Sequence, residues 1–176
     1  MKKINLKKIK KPIKINEKKY FDTRGYFQEI FKNSSYGLNL KFTAIARSKK
    51  NVIRGLHFQI KNKQTKFLYV ADGKILDVVV NLNKNSADFG KVSKFILNEG
   101  EALFIPSHYA HGYECLSNKC NVLYHLEEYR NAKHESGIKF NDKQLKINWK
   151  TETPILSKRD KSHQSFEEFK KKDLSL

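Results

Sequence analysis

The sequence predicts an all-β fold, an antiparallel sandwich or barrel closed by a short C-terminal helix. Three observations carry that expectation. From Tyr26 to Tyr129 the chain is a series of short apolar and aromatic runs broken by polar or Gly-containing turns. No stripe of helical period persists through that stretch. Aromatic residues make up 12% of the 176 residues, so a packed core is within reach and wholesale disorder is excluded.

The elements follow in order. Residues 1–19 form a lysine-spaced arm with apolar positions at Ile4, Leu6, Ile9, Ile13 and Ile15, suited to an edge strand or a dimer seam. Tyr26–Phe31 is the next strand. Phe42–Arg47 and Val52–His57 flank a polar Ser48–Asn51 turn. Phe67–Ala71 and Ile75–Leu82 flank Asp72-Gly73, the strongest hairpin signal in the chain. Val92–Leu97, Ala102–Ile105, His111–Leu116 and Asn121–Tyr129 complete the strands. Ser165 with Glu168 is a capping box that starts a helix over Phe166–Lys172, and Glu167 stands four before Lys171. With no repeat or linker, residues 1–176 read as one domain, with 1–19 as a basic arm and 161–176 as a helical tail.

Composition narrows the function classes. Lys and Arg number 36 against 18 Asp and Glu, a formal charge of +18. Nucleic acid is the first partner such a balance suggests. Arginine, the better bidentate reader of bases and phosphates, is scarce: Arg24, Arg47, Arg54, Arg130 and Arg159 are all there are. A small anionic substrate such as a nucleotide diphosphate fits better. No apolar run reaches the ~20 residues of a membrane span, and no signal-peptide core follows the first lysines, so a cytoplasmic protein is expected. Cys115 and Cys120 lack metal or redox spacing and read as reduced bystanders.

His134 and His163 sit in polar stretches and read as solvated. His57 ends a β-run, on the face opposite Phe58 and shared with Gly55, which leaves room for something to approach. His111 follows the turn Ile105-Pro106-Ser107-His108. This Pro-turn-His pattern resembles the second motif of cupin barrels. The first cupin motif is incomplete, because Gln59 stands where a second metal-binding His belongs. The metal set is incomplete, so either the jelly-roll barrel is metal-free or its histidines do acid–base work.

Longer segments are more specific. FDTRGYFQEIF (21–31), SKKNVIRGLHFQ (48–59), KFLYVADGKILDVVV (66–80), IPSHYAHGYECLS (105–117), Leu123-Tyr124, GIKFND (137–142), INW (147–149) and ILSKRD (155–160) fall in one order. Together they resemble the dTDP-4-dehydrorhamnose 3,5-epimerase family, metal-free cupin-type epimerases of nucleotide-linked 4-keto sugars. Epimerisation beside a ketone needs a base on one face, a cation near the enolate oxygen and an acid on the other face. The resemblance implies His57 as base, Asp160 as its carboxylate partner, Lys66 as cation and Tyr124 as acid. Each has a plainer reading. Asp160 is a capping partner for Ser157, Lys66 is one lysine among many, and Tyr124 is a packed barrel tyrosine. By the same resemblance Arg24, Glu29 and Arg54 contact phosphate or sugar, His111 and Asp77 line and orient the pocket, and Tyr129 packs near the nucleotide base.

Three departures stand out. Phe42, Ala44 and Ala46 replace a Gln-x-Asn-x-Ser pattern, Arg130 replaces a tyrosine, and Asn81-Leu82-Asn83 replaces Asp-x-Arg. The catalytic set is kept while the recognition set changes, so a different sugar, a different nucleotide or inversion of one centre only is expected. No cofactor or metal is implied. The implied partners are a nucleotide-diphosphate 4-keto sugar and a second copy of the chain, in deoxysugar synthesis for a surface polysaccharide. Competing readings are a metal-dependent cupin using His57, His108 and His111, a sugar 3,4-ketoisomerase on the same barrel, and a polyanion binder.

Overall fold

The computed structural model describes residues 4–174; the outermost ends of the arm and the tail lie outside the described residues. The strands are β1 (Ile13–Asn16), β2 (Lys19–Asp22), β3 (Gly25–Gln28), β4 (Phe42–Lys49), β5 (Ile53–Gln59) and β6 (Lys66–Asp72). They continue as β7 (Lys74–Asn81), β8 (Val92–Asn98), β9 (Glu101–Ile105), β10 (Tyr109–Cys115), β11 (Lys119–Leu126) and β12 (Glu135–Gly137). Short helices are α1 (Asn33–Tyr36), α2 (Lys158–Lys161) and α3 (Phe166–Lys171), with one 3-10 turn at Leu6–Lys8. Two five-stranded antiparallel sheets pack face to face, in the orders β1-β9-β6-β11-β4 and β12-β5-β10-β7-β8. This is the expected jelly-roll barrel.

The Asp72-Gly73 signal marks a reversal but not a hairpin. β6 and β7 belong to different sheets, and both edges of each are taken by other strands. Gly73 has φ +84°, and a Cβ there would meet the Lys119 carbonyl at 2.3 Å. The turn thus serves as a corner pressed against β11 that hands the chain across the barrel. A turn motif fixes where a chain reverses, not which edge it then pairs with. The Ser48–Asn51 turn likewise carries the chain between sheets, whereas β7 and β8 do pair with each other.

Burial explains the layering. Alternate residues of the β5–β10–β7 region point outward: Leu56, Phe58, Val78 and Val80 pack under Leu145, Phe166 and Phe169 of the tail. The other sheet turns Phe67, Tyr69, Ala102 and Phe104 toward Leu6, Ile15, Tyr36 and Leu38 of the N-terminal segment. Between the sheets, Leu68, Val70, Val79, Leu103, Tyr113 and Val122 fill one end of the barrel. The two free cysteines are buried there. The arm behaves as an edge strand, since β1 pairs with β9 in the same chain. Helix α3 carries the predicted capping box of Ser165 and Glu168. The Tyr26–Phe31 expectation shrinks to β3, which forms a separate ribbon with the unpredicted β2.

Candidate functional site

The apolar plug stops short of the other end, where a cavity of about 290 Å³ opens. Its walls come from both sheets. His57 on β5 and His111 on β10 are direct cross-strand partners, so their side chains share the inner face. Lys66 on β6 and Tyr124 on β11 come from the opposing sheet and line the same cavity. Tyr124 lies between Leu68 and Ala44, one row from Lys66, Leu126 and Phe42.

His57 Nε2 lies 2.5 Å from Asp160 Oδ1. Its Nδ1 makes no hydrogen bond among the described residues. An Nε2–H donated to the carboxylate leaves the Nδ1 lone pair free, as a base requires. Asp160 is fixed by its own turn: its N–H donates to Ser157 Oγ at 3.1 Å, and the Ser157 hydroxyl donates to Oδ2 at 2.9 Å. The capping reading holds for this residue, and its other oxygen also reaches His57. Burial works to raise the Asp160 carboxyl, yet the neighbouring His163 and His57 imidazoles and the Ser157 hydroxyl hold it well below the usual range.

Lys66 is buried, and its Nζ donates to the Gln64 carbonyl at 3.3 Å. Burial pushes it down to about 8, against the upward pull of Asp77 and Glu135. Burial also drives the Tyr124 phenol well above its usual value, with Tyr113 and Asp77 adding to the shift, so it keeps its proton. Its ring centroid is 5.7 Å from that of His111. Asp77 sits behind His111 with Oδ2 3.3 Å from Nδ1, but neither group has a hydrogen bond there. Burial raises Asp77, and His111 and Lys66 pull it back.

Arg54 lines the cavity with its Nε donating to Ser48 Oγ at 3.0 Å, and Ser48 Oγ meets the Tyr113 hydroxyl at 2.8 Å. Phe42, Ala44 and Ala46 form an apolar wall on β4. Exposed Tyr129 stacks on Phe42 at 5.6 Å, at the rim. Arg24 and Glu29 are not part of this cavity. Arg24 is at the β2–β3 turn, paired with Asp22 at 2.6 Å, and Glu29 is exposed.

Gln64, Glu135 and the burial of His163 escaped the sequence reading, and Arg130 stood out there only as a departure from the family pattern. Gln64, Glu135 and Arg130 line the cavity, and Glu135 binds Arg130 at 2.7 Å and Arg159 at 2.6 Å. His163, expected to be solvated, is buried: its Nε2 is 3.3 Å from Asp160 Oδ1 and its ring meets that of His57 edge-on at 5.3 Å. Its place three residues after Asp160, just past the end of α2, was the available signal. His134 is half-buried in a turn. His108 lines a different cavity with Lys7, Lys10 and Glu127, so His57, His108 and His111 do not converge on one ion. Gln59 ties loops together, donating to the Asn62 carbonyl and accepting from Asn131 N–H.

Known proteins are similar to this chain in sequence and fold. The family described as dTDP-4-dehydrorhamnose 3,5-epimerase matches residues 7–168. A dTDP-4-dehydrorhamnose 3,5-epimerase of Methanothermobacter thermautotrophicus is 36% identical over 153 residues, 81% of this chain and 83% of that protein. The crystal structure of the Bacillus anthracis enzyme of that name, with TDP and PPi bound, is 33% identical with TM-score 0.84, covering 88% of this chain and 93% of that one. A dTDP-6-deoxy-D-glucose-3,5-epimerase of Legionella pneumophila, in complex with dTDP-4-keto-L-rhamnose, is 32% identical with TM-score 0.85, covering 92% and 90%.

Proposed function

The chain belongs to the dTDP-4-dehydrorhamnose 3,5-epimerase family, an epimerase of deoxysugar biosynthesis, and from that premise we propose how its cavity works and on what. The substrate is a dTDP-linked 4-keto-6-deoxy sugar. His57 Nδ1 takes the proton from a carbon beside the ketone. The C–H electrons move onto the carbonyl oxygen as an enolate, which the Lys66 ammonium stabilises. The enolate then collapses, and the Tyr124 O–H gives its proton to the opposite face of the same carbon. Solvent resets the imidazolium and the tyrosinate. No electron is gained or lost overall, and one centre is inverted. The observation that carries this reading is that His57 and Tyr124 stand on facing sheets around one cavity. Such a disposition is what removal on one face and return on the other demands.

Arg54 and Arg130 at the cavity suit a diphosphate, and the Phe42–Tyr129 stack suits a base. The apolar β4 wall offers no donors to sugar hydroxyls. This supports a preference for a sugar nucleotide other than the rhamnose precursor, or inversion at C3 or C5 alone. The test is NMR of deuterium uptake from D₂O across a panel of 4-keto sugar nucleotides. Uptake at C3, C5 or both is expected for the wild type. His57→Ala should lose it by roughly 10²–10⁴-fold. Exchange at the wild-type rate in the folded variant would remove His57 as the base.

Assembly belongs to the same proposal. The β2–β3 ribbon leaves Phe21 75% and Phe27 68% exposed. Arg24 forms its tip and Glu29 follows it, both outside the cavity of their own chain. A homodimer would cover these aromatic rings and carry Arg24 and Glu29 to the partner's substrate. Phe21→Ser with Phe27→Ser should then give a monomer in sedimentation and a raised KM. A wild-type monomer with full activity would exclude this assembly. The enzyme is proposed to act in the cytoplasm, supplying a surface polysaccharide.

A further inference from the structure

Asp160 Oδ1 faces two imidazoles, not one. His57 Nε2 is 2.5 Å away and His163 Nε2 3.3 Å away, the second without hydrogen-bond alignment. Oδ2 is occupied by Ser157, so both histidines draw on the same oxygen. The trio could be taken for metal ligands, since its donor atoms lie within 4.8 Å of one another. Yet the 2.5 Å between His57 Nε2 and Asp160 Oδ1 is a direct hydrogen-bond distance. Two ligands on a tetrahedral zinc, each ~2.0–2.1 Å from the ion, sit more than about 3 Å apart.

The His163 ring is held there by a built cradle. Gly137 pairs with His57 across β12 and β5, and a Cβ on Gly137 would lie 2.5 Å from His163 Nε2. The following residue is pinned to β12: the Gln164 carbonyl accepts from Lys139 N–H at 2.9 Å, and Gln164 Nε2 donates to Ser136 Oγ at 3.1 Å. The ring is thus locked against the His57–Asp160 pair, with its buried Nε2 3.3 Å from the carboxylate oxygen.

We propose that His163 is a positioning residue that shares Asp160 with His57 and sets the pH range in which His57 can act as base. This rests on the epimerase reading of His57. A second imidazole at Oδ1 divides the carboxylate's pull. When protonated it also places a positive charge beside His57, so the two rings oppose each other's protonation. Other charged groups around the same cavity are Lys66 on β6, Glu135 on β12, His111 on β10, and Arg54 and Arg130; Arg159 flanks Asp160 on α2. None of these shares Asp160 Oδ1, so removing His163 alone changes the division of that oxygen.

Three variants test this through the pH dependence of kcat/KM, with thermal melting as the folding control. In His163→Leu the acid limb is expected to move to higher pH by roughly half a unit to one unit, because Asp160 then serves His57 alone. His163→Gln, whose amide can still donate to Oδ1, should move it less. Gly137→Ala, which displaces the ring without removing it, should move it in the direction of Leu. A merely structural role would lower the rate at every pH and leave the limb in place. In the unmodified protein, imidazole ¹⁵N titrations of His57 and His163 should each show two inflections. An unmoved limb in His163→Leu, or single independent inflections in the wild type, overturns the proposal. The NMR arm needs no turnover, so its outcome is separate from any failure of the epimerase reading.

Discussion

Two imidazole–carboxylate pairs stand side by side in this barrel, and their surroundings make them opposites. His57 and His111 are cross-strand neighbours, each with an aspartate behind it. Asp160 sits on a short helical turn, where Ser157 and two histidines aim at its oxygens. Asp77 sits mid-strand, wholly buried, with neither oxygen hydrogen-bonded among the described residues. The first carboxyl is held ionised by hydrogen bonds despite burial, whereas the second is raised by burial. A carboxylate on a turn meets converging donors. One in the middle of a strand meets the next strand's side chains and whatever apolar packing surrounds them. The same residue pair therefore has a hydrogen-bonded carboxylate in one place and a desolvated one in the other, which suits the first to orienting a base and the second to tuning its neighbours.

The sharpest way to break the contrast is Asp160→Asn. The amide can donate to Nε2, which forces the proton to Nδ1 and takes away the lone pair that faces the cavity. A loss of about 10³–10⁴ in kcat is expected, with little change in KM. Steady-state kinetics check this, and a loss below tenfold would show that the carboxylate does not set the tautomer. Stability should respond as well. Because the Asp160 carboxyl is depressed in the fold, its contribution is present above the ordinary value of 3.8 and is lost as pH falls below it. The acid limb of a melting-temperature profile should be flatter in the variant.

Lys66→Met probes the cation that both pairs surround. Removing a single oxyanion donor typically costs about 10²–10³ in rate. The wild-type profile should also fall as pH rises through about 8, where the buried ammonium gives up its proton. That alkaline limb should vanish in the methionine variant, leaving a low, flat plateau. A limb that survives in Lys66→Met belongs to another group.

How much of this could be read beforehand follows the same division. Strand alternation in RGLHFQ put His57 on the face away from Phe58, and the Ser157–Asp160 spacing marked a capped turn. Both are local signals, and both elements formed as expected. The family order of motifs then brought His57, Lys66, Tyr124, Arg54 and His111 to one cavity. Partners fixed only by long-range topology were not legible. Asp72-Gly73 looked like a hairpin because turn chemistry is local, while the choice of sheet depends on strands far along the chain. His163 looked solvated because its sequence neighbours are polar; its burial comes from β12, itself three residues long and unpredicted. Arg24 and Glu29 matched a motif but lie on a ribbon whose company a single chain does not supply.

The smallest effect belongs to Asp77→Asn, and it separates the pairs most cleanly. Asp77 makes no hydrogen bond that the amide would lose, so the fold should persist. Its measurable influence runs through charge. Burial lowers Lys66, and Asp77 is the first influence opposing that. Without this anion the neutral lysine is favoured sooner, so the alkaline limb should move from about 8 to lower pH, by roughly a few tenths of a unit. The linked stability effect has a fixed sign. A lysine depressed below its ordinary 10.5 sheds its proton earlier in the folded state, so stability rises with pH between about 8 and 10.5. The Asn variant should begin that rise at lower pH. A limb that stays at the wild-type position would mean that Asp77 is protonated at that pH, and that the second pair is electrically silent during turnover.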